Sequence, residues 1–357
     1  MKVLLIGGTG TISMAISERL IKEGHELWLV NRGNRNHGLP EGVHMIRGEI
    51  QDEDSMAEKL GNQQFDVIAD FIAFTPKDVE RDFRLFRERT KQYILVSSAS
   101  AYQKPLSDYR INEGTPLANP YWEYSRNKIA CEETLMRFYR EEGFPATVVR
   151  PSHTYSERSV PVGIHGKQGS YQVLKRMQEG KKVLIHGDGM SLWTMTFSSD
   201  FAKAFTGLMG NIHAIGEAVQ ITSEETLTWN QIYKAIADAL GTELRACHVS
   251  SEFLASCCPP DLDLRGGLLG DKANSVVFDN SRLKRLVPGF TASVRFDQGV
   301  RRAVEYVLSH GECRREDPEF DAWCDRVVAA QEEAAENVRR WLQMGNAHRQ
   351  GDMKKIM

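Results

Sequence analysis

Tyr124 and Lys128 stand four residues apart in the run YWEYSRNK, residues 121–128, so on a helix they share one face. An unperturbed phenol has a pKa near ~10 and is a poor base at neutral pH. A nearby ammonium stabilises the phenolate and brings the group into use for moving a proton to or from a hydroxyl or carbonyl oxygen. A serine hydroxyl at a strand end could hold that same oxygen, and Ser97, Ser98 and Ser100 follow an apolar run at residues 93–96. A Tyr and a Lys at helical spacing are common on helices without any chemistry. The pair therefore acquires meaning only from its neighbours.

The second group of residues opens the chain, KVLLIGGTGTIS at residues 2–13. Val3, Leu4, Leu5 and Ile6 form an apolar run without polar alternation, as in a strand buried on both faces. Gly7 permits a tight turn, and Gly10 lets a pyrophosphate approach the backbone. Thr11 and Ile12 then begin a helix whose N-terminus offers free N–H groups and a positive dipole end. Ser13 stands where a third glycine is usual. After the second strand, residues 26–30, a carboxylate for a ribose 2′-hydroxyl is missing. Asn31 and Arg32 stand there with Arg35 close by. Guanidinium groups suit a 2′-phosphate, so NADP is favoured over NAD.

The elements that must position these residues alternate. Strands are expected at residues 43–46, 65–73 and Tyr93–Val96, with a helix over 76–89 and another from residue 121. That pattern is a parallel, doubly wound α/β sheet of Rossmann type. Ligands in such sheets lie at the carboxyl ends of the strands, which gathers the glycine turn, Asn31, Arg32, Ala73, Ser97 and Ser98 around one crevice. Residues 47–52 form a short acidic turn. Residues 155–171 form a long irregular stretch suited to a lid or a substrate wall. A helix follows from Tyr171, then strands at 182–185 and Leu192–Phe197, and a helix at 200–209 with Asp200 as its N-cap. The strand Ala218–Ile221 comes next. A capping box at 228–231 opens a helix to Leu240, and a strand is expected at 243–249. Residues 266–272 read as a glycine-rich loop with Asp271. A last core helix runs from about residue 298 to 308, a peripheral helix over 318–342, and a polar, frayed tail over 345–357.

Composition narrows the class. The chain has 357 residues and a formal net charge of −3, which offers no electrostatic footprint for nucleic acid. No apolar run approaches the ~18 residues of a membrane span. The first residues enter a strand directly, so no signal peptide is expected. The six cysteines, Cys131, Cys247, Cys257, Cys258, Cys313 and Cys324, make no CxxC pair, and no histidine spacing completes a metal site. They suit reduced thiols in a cytoplasmic protein.

Taken together, GGTGTIS from Gly7, SSASAY from Ser97 and YSRNK from Tyr124 resemble the extended short-chain dehydrogenase/reductase family, also called the NAD-dependent epimerase/dehydratase family. VRPSHTY at 149–155, TFSSDFA at 196–202 and VFDNSRLKRL at 277–286 extend the resemblance to roughly residues 1–310. It implies a dinucleotide-binding core over 1–150 and a smaller substrate lobe over 151–310 with segments returning to the core. Residues 311–357 then form a peripheral helix and tail. It implies Tyr124 as acid/base and Lys128 as the group that binds the nicotinamide ribose and tunes Tyr124. Ser98 would bond the reacting oxygen, and Pro151 and Ser152 would touch the nicotinamide end. A homodimer through the 76–89 and Tyr124 helices is implied as well.

Two departures bear on substrate. Trp193 stands where members acting on nucleotide-diphosphate sugars have an Arg, and His153 where they have an Asn. An indole cannot neutralise a diphosphate, though it can stack on a ring. His153 is a substrate contact, an added proton-transfer group or a buried structural histidine. Arg265 is an anion contact or an exposed loop arginine. The expected function is Tyr–Lys–Ser hydride chemistry on a sugar or sugar-like hydroxyl or carbonyl. The alternatives are a nucleotide-sugar epimerase or dehydratase proper, and a non-catalytic NAD(P)-sensing or RNA-binding protein of the same fold. Dehydration needs a carboxylate near the serine, and Ala99 and Ser100 supply none.

Overall fold

The computed structural model describes residues 1–33 and 38–356, with side chains through residue 343. Arg35 lies outside the described residues. The first half of the chain runs β1 (Lys2–Ile6), α1 (Thr11–Lys22), β2 (Glu26–Asn31), β3 (His44–Arg47), α2 (Glu53–Leu60), β4 (Val67–Asp70), α3 (Pro76–Phe86), β5 (Tyr93–Val96), β6 (Arg110–Ile111), α4 (Glu123–Glu142) and β7 (Ala146–Pro151). It continues through β8 (His153–Tyr155), α5 (Tyr171–Gln178), β9 (Val183–His186), β10 (Leu192–Phe197), α6 (Ser198–Leu208), β11 (Ala218–Ile221), β12 (Thr226–Thr228), α7 (Trp229–Leu240), β13 (Ala246–Val249) and α8 (Ser251–Cys257). A π-helix (Arg265–Lys272), β14 (Val277–Phe278), α9 (Ser281–Leu286), α10 (Phe296–Ser309) and α11 (Pro318–Ile356) complete it.

Seven parallel strands form the central sheet in the order β11-β7-β5-β4-β1-β2-β3. The apolar run of β1 shows why it sits in the middle. Val3 and Leu5 pack on one face with Ile16, Leu20, Phe201 and Phe205, while Leu4 and Ile6 pack on the other with Met56, Val79, Leu85 and Leu135. Period-two side chains thus feed two separate cores, and α1 and α6 cover one face while α2, α3 and α4 cover the other. A third core gathers Tyr155, Trp193, Trp229, Ile236 and Phe296 around smaller sheets, β12-β10-β8 and β13-β9. The doubly wound α/β reading of the sequence holds.

Several boundaries differ from the sequence reading. The strand expected at 65–73 is Val67–Asp70, because the Asp70 carboxylate accepts from the N–H of Ala73 and bends the chain out of the sheet. The helix from Pro76 stops at Phe86 rather than Arg89. The acidic turn at 47–52 ends in Asp52, which caps the unforeseen α2 through the Ser55 N–H at 3.2 Å. Asp200 is not an N-cap; it sits inside α6 and accepts from the Val294 N–H at 2.8 Å, Ser293 Oγ and Lys203 Nζ, tying α6 to the segment before α10. The glycine-rich stretch is the π-helix rather than a loop. A Cβ on Gly266 would meet the Trp122 ring at 2.1 Å, so glycine lets this helix press against the start of α4. The helix from Pro318 continues past Leu342 to Ile356. Among the described residues no helix is long and apolar enough to cross a membrane.

Candidate active site

The start of α4 is pinned by Asn119, a buried side chain. Its Oδ1 accepts from the N–H groups of Tyr121 and Trp122, both at 3.2 Å. Its Nδ2 donates to Ser100 O at 2.9 Å and Gly270 O at 2.8 Å. One amide therefore ties the Tyr124 helix, the serine turn after β5 and the π-helix together. Ser125 Oγ donates to Ser100 Oγ at 2.7 Å, and Ser100 Oγ lies 2.9 Å from Ser98 Oγ. Tyr124 and Ser98 line one cavity of about 240 Å³ with Ala99, Ser100, Lys104, Trp122, Pro151, Ser152, His153, Trp193, Asp271, Lys272, Val276 and Phe278.

Lys128 is buried behind Tyr124. Its Nζ donates to Ala73 O and Val96 O, both at 2.8 Å, at the carboxyl ends of β4 and β5. The ammonium lies 5.9 Å from the centre of the Tyr124 ring and 4.6 Å from that of Phe74. Burial, with help from the Asp271 charge, holds the Tyr124 pKa above its ordinary value, while the Ser98 hydroxyl pulls the other way. Lys128 spends its hydrogen bonds on carbonyls, and burial lowers its own pKa.

The glycine turn opens a second space. Gly7 has φ +82°, a left-handed conformation that favours glycine. Ser13 Oγ accepts from the Gly10 N–H and donates to Gly7 O, both at 2.9 Å, so the serine at the third fingerprint position closes the turn itself. A Cβ on Gly10 would meet nothing nearer than Ser13 Oγ at 3.6 Å. A space of about 470 Å³ lies at the open end of α1 against Thr9, Gly10, Thr11 and Met14, with Glu18, Glu157 and Glu312 as well as Arg158 and Arg315 on its walls. A glycine cradle, a helix N-terminus without acidic residues in its first turn, and a buried lysine further along the strand ends fit a dinucleotide.

A family model described as "NAD dependent epimerase/dehydratase family" matches residues 3–221. The chain belongs to this family. It is 26% identical over 290 residues to the 2′-dehydrokanamycin reductase of Streptomyces kanamyceticus, covering 81% of this chain and 80% of that protein. It is also 26% identical over 253 residues to the chloroplast stem-loop binding protein of 41 kDa b of Arabidopsis thaliana, covering 67% of this chain and 63% of that protein. Its fold matches that of a Bacillus anthracis dTDP-glucose 4,6-dehydratase solved in complex with NAD, with a TM-score of 0.70 at 18% identity over 87% of this chain and 98% of that one.

Seen as a member of the epimerase/dehydratase family, the chain gathers eight of its expected site residues along two cavities. Tyr124, Ser98, Pro151, Ser152, His153 and Trp193 share the first cavity, and Gly10 and Thr11 line the second. Burial pushes the His153 pKa down to about 3, so the ring is neutral at physiological pH. Two expected residues point elsewhere. The Ser97 hydroxyl is buried and donates to Glu132, which pairs with Arg150 at 2.6 Å; its side chain belongs to the core. Arg265 is exposed, with its guanidinium 5.9 Å from the Tyr121 ring, and is absent from the cavity wall. Asn31 Oδ1 accepts from the Gly33 N–H, and Arg32 is exposed 3.9 Å from Glu49. The sequence reading missed Lys104, Trp122 and Lys272. Lys104 sits in an irregular loop with no periodicity to aim it, and Lys272 ends a glycine-rich run that reads as a loop.

Proposed function

We propose that this chain is an NAD(P)-dependent oxidoreductase or epimerase of the extended short-chain type, acting on a hydroxyl or carbonyl of a sugar or sugar-like compound. The observation that carries the reading is the shared cavity of Tyr124, Ser98, Pro151 and Ser152, with Lys128 buried at the strand ends just behind it. The bound dinucleotide supplies a carbon that accepts or returns a hydride. Gly7, Gly10, Thr11 and Ile12 would hold its pyrophosphate, Ala73 and Lys128 its nicotinamide ribose, and Pro151 and Ser152 its reactive end. Ser98 donates to the reacting oxygen, and Tyr124 takes the hydroxyl proton in oxidation or returns it in reduction. A keto compound that takes the hydride back before leaving the site becomes an epimer; one released first is a net redox product.

His153 and Trp193 in the cavity, at the positions where the nucleotide-diphosphate-sugar members carry an Asn and an Arg, support a substrate other than a nucleotide-diphosphate sugar. The reductase relative, named for a dehydro sugar derivative, agrees with that direction. The end of β2 lacks a carboxylate and carries Asn31 and Arg32, with Arg35 following in the sequence, which supports NADP over NAD. The six free thiols suit a cytoplasmic setting. Residues 1–150 serve as the cofactor unit, 151–310 as the substrate lobe with returning segments, and 311–357 as a peripheral helix. In α3 and α4, Phe83 stacks on Phe138 with ring centres 4.0 Å apart, and both rings are half-buried, which supports a homodimer through these helices. Light scattering at micromolar concentration should give twice the chain mass; a monomer rejects the dimer.

The deciding experiment measures turnover on a panel of sugars and keto compounds with NADPH and NADH, for wild type and Tyr124→Phe. The variant should lose about 10²–10⁴-fold in turnover, with NADPH preferred by the wild type. Equal activity in wild type and variant sinks the acid/base assignment.

A further inference from the structure

Four charged or titratable groups on the cavity wall have no part in the hydride step. Lys104 is 3% exposed, yet among the described residues its ammonium has no hydrogen bond or ion pair. The Asp271 carboxylate likewise makes no hydrogen bond among the described residues. Lys272 Nζ has only a long contact, 3.4 Å to Gly267 O. His153 completes the set, and burial keeps it neutral. The indole N–H of Trp193, on the same wall, is buried without a partner.

This cluster does not serve stability. Among the described residues Lys104 is buried without a partner and Lys272 half-buried with one long contact; holding ammonium groups so costs free energy, and a packed apolar side chain would do better in each place. Nor is it loosely held. The backbone carbonyl of Lys272 accepts from His186 Nε2 at 3.1 Å, Ser191 Oγ at 3.1 Å and Trp229 Nε1 at 3.2 Å. Three side chains from separate segments fix the point from which Lys272 enters the cavity. Burial lowers the pKa of both lysines and raises that of Asp271. Counted in their ordinary charge states, two ammonium groups face one carboxylate, and an anionic ligand would balance the excess and give both lysines partners. The walls of Trp122, Trp193, Val276 and Phe278 are apolar, and about 240 Å³ suits one sugar-sized ring.

We propose that the cavity recognises its substrate by an anionic oxygen group, a carboxylate or a phosphate ester on a single sugar-sized ring, held between the ammonium groups of Lys104 and Lys272 with Asp271 accepting from a neighbouring hydroxyl. The inference rests on the cavity being the substrate site of the function proposed above. The test titrates D-glucose, D-glucuronate and D-glucose 6-phosphate into the full chain loaded with NADP or, if that binds more tightly, NAD, by calorimetry. Charge-assisted hydrogen bonds of this kind should make at least one anionic sugar bind about tenfold or more tightly than glucose. The tighter of the two identifies the anion as carboxylate or phosphate. Lys104→Gln and Lys272→Gln should each erase the preference, and Lys272→Arg should keep it. Tyr124→Phe should keep it too while losing turnover, so a failure of the acid/base reading and a failure of this one are told apart. The absence of an anion preference in the wild type overturns the proposal without recourse to any variant. So does a preference that survives in both glutamine variants while the dinucleotide still binds.

Discussion

At the scale of single residues the site is governed by burial more than by neighbouring charge. Tyr124 is held in its neutral form, with a pKa above the ordinary value of 10.0. A proton donor that keeps its proton across the neutral range favours reduction. Turnover in the reducing direction should therefore be flat from about pH 6 to 9, while the oxidising direction should climb with pH because it needs the phenolate. Lys128 enters this profile from a distance. Its ammonium, 5.9 Å from the phenol ring, favours the phenolate through space even though its hydrogen bonds go to Ala73 and Val96. Lys128→Met should displace the oxidising limb to higher pH as well as weaken cofactor binding. Rate profiles in both directions measure this. An oxidising limb unmoved in the variant leaves Lys128 as a strut for two carbonyls.

At the scale of elements, the carbonyls that receive Lys128 are themselves placed by a buried ionic knot that the sequence did not disclose. Arg81, on the inner face of α3, is 2% exposed. It bonds Asp78 at 3.0 Å, Asp70 at 3.2 Å and Asp82 at 2.7 Å, and Tyr93 donates to the far oxygen of Asp82. Asp70 in turn accepts from the Ala73 N–H at 2.9 Å, and Asp78 from those of Phe74 and Thr75 at 3.0 and 2.9 Å. One guanidinium thus sets the bend after β4 and the entry to α3 together. Arg81→Met keeps much of the volume but strands three carboxylates in the core. It should cost about 3–5 kcal/mol in urea denaturation. A loss under about 1 kcal/mol would show that the carboxylates find other partners or take up protons cheaply.

The same knot shows where sequence reading stops. Residues 76–89 display helical spacing, so the helix was legible, but Asp70, Asp78, Arg81 and Asp82 read equally well as a solvated charged face. Their pairing depends on how α3 lies on β4 and β5, which no periodicity encodes. Tyr124, Ser98 and the glycine turn were legible for the opposite reason, since each is a residue type at a fixed place on a local strand, turn or helix. Lys104 and Lys272 reach the cavity from a loop and a π-helix packed by Asn119 and Trp122. Their convergence is tertiary, and nothing in either segment announces it.

At the scale of the whole molecule, three histidines whose pKa is held down make acid the natural stress. The pKa of His153 is pushed down to about 3, that of His186 to about 4, and that of His165 is lowered, each mainly by burial. A histidine whose folded pKa lies below its unfolded value leaves the unfolded chain holding the extra proton between the two. Stability then rises with pH across that window and is complete above the unfolded pKa near 6.5. For His186 the window runs from 6.5 down to about 4, and its full slope is about 1.4 kcal/mol per pH unit. Because the ring is 1% exposed, solvent screening does not soften the effect. His186→Gln can keep a donor toward Lys272 O but cannot titrate. Its unfolding free energy, measured by urea denaturation at intervals from pH 6.5 to 4.5, should fall more gently than that of the wild type by up to one proton's worth of slope. Parallel slopes would show that the buried ring takes up its proton as readily in the folded chain as in the unfolded one. The wall that carries Lys272 into the cavity would then be open enough to admit water.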